Sequence, residues 1–127
     1  MVDIKISKSF NYLNISASGP LTVDDVIELF NQIVVSPDFE YGIDSIVDLS
    51  NAIVDVSVPD MERIIKHSTK VLKEDEFGFK SALIVTDDLE EAMVDLFNAL
   101  RPPGLASQMR VFNDREQALA WIASKDE

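Results

Sequence analysis

Two alternating patterns of apolar and polar residues open the chain. In residues 2–7 and again in residues 11–17, every second side chain is apolar, which is the period of a strand with one face on a core. The second segment places Leu13, Ile15 and Ala17 on one side. Because only a few residues separate the two segments, we expect them to form a hairpin.

Four later stretches carry apolar residues at helical spacing. Each begins near a residue that suits a helix N-terminus. The predicted starting residues or caps are Thr22 (with Asp25), Pro59 or Asp60, Asp87 or Asp88, and Asn113 (with Glu116). The predicted apolar face of the third helix consists of Leu89, Ala92, Met93, Leu96, Phe97 and Leu100.

Three further strands are predicted between these helices, at residues 43–49, 81–86 and 109–112. The 81–86 segment is apolar on both faces, as is typical of a central parallel strand. The element order is therefore β-β-α-β-α-β-α-β-α, which predicts an α/β fold with a mostly parallel five-stranded sheet and four helices. Since the first three strands each show a polar side, we expect the helices to lie mainly on one face of the sheet.

Composition and charge argue against several classes of function. The 127 residues suit one domain, with 11 lysines and arginines against 23 acids and a net charge of −12. Nucleic acid and anionic lipid surfaces require clustered cations, so neither is an expected partner. The N-terminus lacks the pattern of a signal peptide, and no apolar run has membrane-spanning length. We therefore expect a cytoplasmic protein with no membrane span.

Few residues offer recognisable catalytic chemistry, and we predict a protein that is not an enzyme and holds no cofactor. There is no cysteine, the four glycines are far apart, and His67 is the single histidine. Aspartates do gather where the predicted strands end, at Asp55, Asp60, Asp87, Asp88 and Asp114. Carboxylates could hold Mg²⁺ or Ca²⁺, but all except Asp55 stand where a helix N-terminus favours a cap or a negative charge. We therefore favour capping and predict no metal site.

Charge is distributed unevenly along the chain. Between Lys8 and Arg63 there is no lysine, arginine or histidine, while ten acids occur. One interpretation is that these acids keep the protein soluble. The other is that the acidic half recognises a basic partner.

The predicted loop at residues 51–59 is unusually apolar. It carries Ile53, Val54, Val56 and Val58, whereas loops at the rim of a sheet are usually polar. Either the strand and the core extend into this apolar loop, or the loop presents apolar surface to a partner. The sequence leaves both alternatives open.

These features together resemble a STAS domain, the fold of anti-sigma-factor antagonists. The resemblance is carried by Asp48-Leu49-Ser50-Asn51-Ala52 at a strand end, with Asp55-Val56-Ser57 just beyond it. The C-terminal half is similar to the SpoIIAA-like family of small bacterial proteins, through residues 81–85 and the segment 109–122.

The resemblance implies a single STAS-like domain over residues 1–127, a β/α superhelix with one antiparallel edge strand. In the antagonists, a serine in an Asp-Ser-Ser-Gly motif after the third strand is phosphorylated by a partner kinase. Ser57 would be that position, but Asp55-Val56-Ser57-Val58 lacks the first serine and the glycine.

We carry three functional hypotheses forward. The first is a regulatory protein-binding module that contacts a partner through Asp55, Val56, Ser57, Val58 and Asp60, with phosphorylation of Ser57 adding about two negative charges as a switch. The second is a carrier of a small apolar or lipid-like ligand, with a pocket lined by Ile53, Val54, Val56, Phe77, Phe79, Met93 and Phe97. The third and weakest is an enzyme that uses the aspartates with a metal. A homodimer through the open sheet face is compatible with each.

Overall fold

The computed structural model describes residues 2–124, which form nine elements in the predicted order. The strands are β1 (Asp3–Ser9), β2 (Tyr12–Leu21), β3 (Asp44–Val54), β4 (Lys80–Ile84) and β5 (Gln108–Phe112). The helices are α1 (Val23–Val35), α2 (Val58–Val71), α3 (Asp88–Leu100) and α4 (Arg115–Ala123).

The strands form one sheet in sequential order, β1-β2-β3-β4-β5. The pairing of β1 with β2 is antiparallel, and the other three pairings are parallel. This confirms the predicted fold class, with the N-terminal hairpin supplying the antiparallel edge strand. β2 and β3 extend beyond their predicted ends, because an irregularity in register near Ser16 lets β2 continue through Gly19, whose φ is +90°.

Helices cover the two faces of the sheet unequally. α1 packs Leu29 and Ile33 against β2, and α3 packs Val94 against the sheet on the same side. α4 packs against the opposite face, where Ala118 and Trp121 contact β3 and β4. Because β4 lies between these two layers, both of its sides are covered: Ala82 and Ile84 are buried against α4, and Leu83 is half-buried on the other side.

The predicted apolar face of α3 is wrong in part. Leu89 and Leu96 are exposed, and the one fully buried side chain of this helix is Val94. The helix is rotated so that Met93, Val94 and Phe97 face the sheet. Helical spacing alone cannot choose between overlapping apolar stripes, and the packing against β3 and β5 decides which one is buried.

The cap of α4 also differs from its prediction. Asp114, rather than Asn113, is the N-cap, and its carboxylate accepts from the Gln117 N–H at 2.8 Å. Asn113 instead donates from its amide to the Val85 carbonyl. The Asn113 side chain therefore fastens the end of β5 to the end of β4.

Candidate functional site

The apolar loop is partly strand and partly a connection to α2. β3 continues to Val54, and the Asp55 N–H then donates to the Leu21 carbonyl at 2.8 Å. Ala52 is buried in the core, whereas Ile53 is 66% exposed. The first alternative raised by the sequence is therefore confirmed, since the strand and the core extend into the loop, and Ile53 also remains as exposed apolar surface.

Ser57 is the N-cap of α2. Its hydroxyl accepts from the Asp60 N–H at 3.2 Å, and the Asp60 carboxylate accepts from the Ser57 N–H at 3.0 Å. The predicted start at Pro59 or Asp60 is slightly late, because this capping box satisfies N–H groups that a later start would leave unpaired. The signal was present in the sequence, since Ser57 and Asp60 have the same spacing as the capping box of Thr22 and Asp25 in α1.

The capping box also sets the charge of Asp60. The hydrogen bond from the Ser57 N–H holds the pKa of the Asp60 carboxyl below its ordinary value of 3.8, with a smaller contribution from the Ser57 side chain. The positive charge of Arg63 acts in the same direction. Asp60 is therefore a carboxylate at neutral pH, placed where the α2 dipole favours a negative charge.

Three exposed apolar side chains lie near the carboxyl ends of β3 and β4. Ile53, Val58 and Leu89 are 66%, 45% and 71% exposed. Leu89 belongs to α3, and its neighbour Glu90 accepts from the Val54 N–H at 3.1 Å, which holds the start of α3 beside the end of β3. We call this the docking surface and define it as Ile53, Asp55, Ser57, Val58 and Leu89.

The structure separates the predicted site residues into two groups. Asp55, Ser57 and Val58 are exposed, and Asp60 is engaged in the cap. Val56 is half-buried, and its side chain lines an internal cavity instead of the surface. Alternation along an extended segment explains this split, because neighbouring side chains point to opposite sides.

This cavity, which is partly open to solvent, lies between the sheet and the three helices α1, α2 and α3. Its volume is about 160 Å³. Five of the seven residues predicted for a pocket line it, namely Val54, Val56, Phe79, Met93 and Phe97. The other two, Ile53 and Phe77, do not line it and are exposed.

A buried polar network forms part of the cavity wall. Glu74 accepts from Arg101 at 2.8 Å and from the Ser107 hydroxyl at 2.6 Å, and Arg101 also contacts Ser107. The side chains of Arg101 and Glu74 are only 11% and 7% exposed. Sequence analysis missed this network, because nothing in the local pattern indicates that residues so far apart along the chain meet.

The other residues considered for catalysis or metal binding have structural roles. Asp87 caps α3 and Asp114 caps α4, as the preference for capping predicts. Within residues 2–124, no three histidine, aspartate or glutamate side chains group closely enough to hold a metal ion. His67 is not simply solvated, since its Nε2 lies 2.8 Å from the Asn31 side-chain oxygen and joins α2 to α1.

Comparisons with known proteins give the family. No curated protein matches the sequence. Separately, no helix in the described part of the chain is long and apolar enough to span a membrane. An uncharacterized protein with a SpoIIAA-like fold from Shewanella loihica is similar, with a TM-score of 0.61, 22% identity and coverage of 96% of this chain and 94% of that one. An anti-sigma factor antagonist from Mycobacterium paratuberculosis has a TM-score of 0.59 and 12% identity, with coverage of 98% and 96%. At these identities the two structures establish the fold, while the SpoIIAA-like family model matches residues 12–123. The chain therefore belongs to the SpoIIAA-like family.

Proposed function

We propose that this protein is a regulatory protein-binding module that is not an enzyme and that binds a basic partner through the docking surface. The observation that carries the proposal is the exposure of Ile53, Val58 and Leu89 at one edge of the sheet. Exposed apolar side chains grouped in this way mark interaction sites more often than scattered ones do. The fold shared with an anti-sigma factor antagonist supports a regulatory role.

The surface has both of the properties that specific docking requires. Its apolar side chains can be buried as anchors at the centre of an interface. Asp55 and Asp60 stand beside Val58 in the sequence, and Asp87 and Asp88 precede Leu89 at the start of α3. Their negative charge would steer a basic partner during encounter. The neighbouring cation Arg63 is itself 3.8 Å from the Asp24 carboxylate.

A crosslinking experiment tests this proposal. A photo-reactive residue replaces Ile53, and the crosslinked partner is identified in the native host and purified. Ile53→Ser and Leu89→Ser should each weaken binding of that partner, because they remove an anchor. Val35→Ser is the matched control, since Val35 is 78% exposed but lies at the far end of α1. Equal binding by all three variants would refute the docking surface.

Phosphorylation of Ser57 supplies a switch within this proposal. The Ser57 side chain lies between Ile53 and Val58 in sequence and is exposed. A phosphoryl group there would add about two negative charges that docking would have to desolvate, next to the Asp60 carboxylate. We expect this desolvation to cost more than the added attraction to a basic partner supplies, so that modification releases the partner.

The cavity favours a second function, the transport of a small apolar ligand. Its volume of about 160 Å³ is close to that of an engineered apolar cavity of roughly 150 Å³ that stays dry and binds benzene. A membrane lipid is much larger than this space. Mass spectrometry of protein from its native host, first native and then denaturing, tests the proposal. A non-covalent adduct that is lost on denaturation supports it, and a bare protein opposes it.

The proposal also includes the oligomeric state and the cellular location of the protein. Helices leave part of the sheet face opposite α1 uncovered near β1 and β2, and two copies could pair there. Light scattering across a range of concentrations tests for this homodimer. We place the module in the bacterial cytoplasm, which is testable by fractionation of host cells.

A further inference from the structure

One extended segment forms both the docking surface and the wall of the cavity. Along residues 53–57, the side chains of Ile53, Asp55 and Ser57 are exposed, while those of Val54 and Val56 line the cavity. The segment is a single extended chain that separates the cavity from the docking surface. Any shift of the inward side chains therefore moves the outward ones.

The two helices that flank this segment share the same double role. α2 begins at Ser57 on the docking surface, and its first turn places Met61 in the cavity wall. α3 begins beside the docking surface at Leu89, and its next turns line the cavity with Met93 and Phe97. Every element of the docking surface therefore has apolar side chains against the cavity.

Beyond the pairing of Ile53 and Val54 with β2, three backbone hydrogen bonds hold the segment in its position. The N–H groups of Val54, Asp55 and Ser57 donate to the Glu90 carboxylate, the Leu21 carbonyl and the Asp60 carboxylate. Two of the three acceptors are side chains of exposed helix turns rather than partners in the sheet. Val54 packs against the core cluster around Leu49 and Val85, whereas Val56, which no core cluster includes, faces the cavity.

We propose that the cavity is a regulatory site, and that a small uncharged apolar molecule bound in it controls the docking surface. This inference rests on both proposed functions and joins them. The ligand class follows from the wall, whose Glu74, Arg101 and Ser107 groups already satisfy one another. The hydroxyls of Ser68 and Ser81 are likewise bonded within the protein, so a ligand gains most from apolar contact.

The direction of the coupling follows from packing. Protein interiors favour close packing, and an empty cavity favours movement of its softest wall inward. The softest part of the wall is residues 55–57, because they lie between the last sheet pair, Leu21 with Val54, and the start of α2. A ligand that fills the cavity holds this segment outward and orders it, and a partner then binds a surface that is already organised.

Benzene is the probe for the first test, with amide hydrogen exchange followed by NMR in the full chain. On saturation with benzene, exchange at Val54, Asp55 and Ser57 should slow by about fivefold or more, the lower end of usual coupling between sites. The control is the Phe39 N–H, which donates to the Ser36 carbonyl away from the cavity. Its exchange should stay unchanged.

Two outcomes would overturn the proposal, and they differ in whether the transport function is refuted as well. If benzene shifts the methyl signals of Met93 and Val94 but exchange at the segment is unchanged, the cavity binds ligand without regulating the surface. If benzene shifts no methyl signal of the cavity wall, both the regulatory site and the transport function fail. In neither case is the protein-binding function refuted, since its crosslinking test is independent of benzene.

Filling the cavity by mutation gives a second test. Leu83→Phe places a larger side chain in the cavity from β4, and Val94→Leu is a milder change from α3 in case the first variant fails to fold. Each should block benzene binding and slow exchange at Asp55 and Ser57 without any ligand. A folded variant that blocks benzene and leaves this exchange unchanged would overturn the coupling.

Discussion

Ser57 and Asp60 cap α2 reciprocally, each donating its backbone N–H to the side chain of the other. Ser57, the residue that we propose as a phosphorylation switch, thus also stabilises the helix that it precedes. This double role determines which substitutions can report on signalling. A variant that loses the cap changes the fold and the surface together.

The contribution of the cap is measured by Ser57→Ala. We expect this variant to lower the free energy of unfolding by about 1 kcal/mol, because the Asp60 N–H loses its acceptor. Ser57→Asn and Ser57→Asp keep a side-chain acceptor and should stay within a few tenths of a kcal/mol of the parent. Urea denaturation followed by circular dichroism gives these values.

The matched control for the cap is Thr22→Ala. Thr22 forms the equivalent box with Asp25 at the start of α1, so its loss should be of similar size. An unfolding free energy that is unchanged in Ser57→Ala but lowered in Thr22→Ala would show that the α2 cap contributes nothing to stability.

The same hydrogen bonds predict a pH dependence. Because the folded pKa of Asp60 lies below its ordinary value of 3.8, the stabilisation from its carboxylate is present above that ordinary value. It is lost as the pH falls through the lower, folded pKa. Carboxyl NMR titration should give a pKa for Asp60 below 3.8, and Ser57→Ala should raise it. Because Ser57→Ala keeps the backbone N–H, which is the main cause, this rise should be small, and a parent pKa at or above 3.8 would contradict the assignment.

The switch at Ser57 is separated from the cap by comparing two variants. Ser57→Asn keeps the cap without charge, and Ser57→Asp keeps it with a negative charge. Once the partner is identified, we expect Ser57→Asp to reduce its affinity, because a charge must be desolvated between Ile53 and Val58. Ser57→Asn should bind almost as well as the parent. Equal affinity of the two variants, measured by calorimetry, would rule out a charge-based switch.

Sequence patterns predicted the fold because they depend on neighbours along the chain. Alternation identified β1 and β2, and the apolar 81–86 segment indicated a strand covered on both sides. The spacing of Thr22 and Asp25 gave the start of α1. These features require no knowledge of which distant residues meet.

Sequence patterns predicted the site only where its structure depends on residues that are neighbours along the chain. Residues 53–58 were recognised as unusually apolar, but their division into outward Ile53 and inward Val56 depends on how β3 continues past its predicted end. The exposure of Leu89 depends on how α3 is rotated about its axis, which the packing of Met93 and Val94 fixes. The cavity arises from the combined shape of three helices and a sheet, and no stretch of sequence encodes it locally.

The buried network of Glu74, Arg101 and Ser107 gives the last prediction. Replacing one member of a buried ion pair leaves the other charged and without a counter-ion, which typically lowers stability by about 3 to 5 kcal/mol. We expect a loss of this size for Arg101→Met, since Glu74 then keeps only the Ser107 hydroxyl as a donor. The double variant Glu74→Leu with Arg101→Met removes both charges, and its loss of unfolding free energy should be much smaller than the sum of the losses in the two single variants.

The exposed pair of Arg63 and Asp24 is the control, and Arg63→Met should lower the unfolding free energy by less than about 1 kcal/mol. Additive losses in the double variant would mean that the Glu74 and Arg101 charges do not depend on each other.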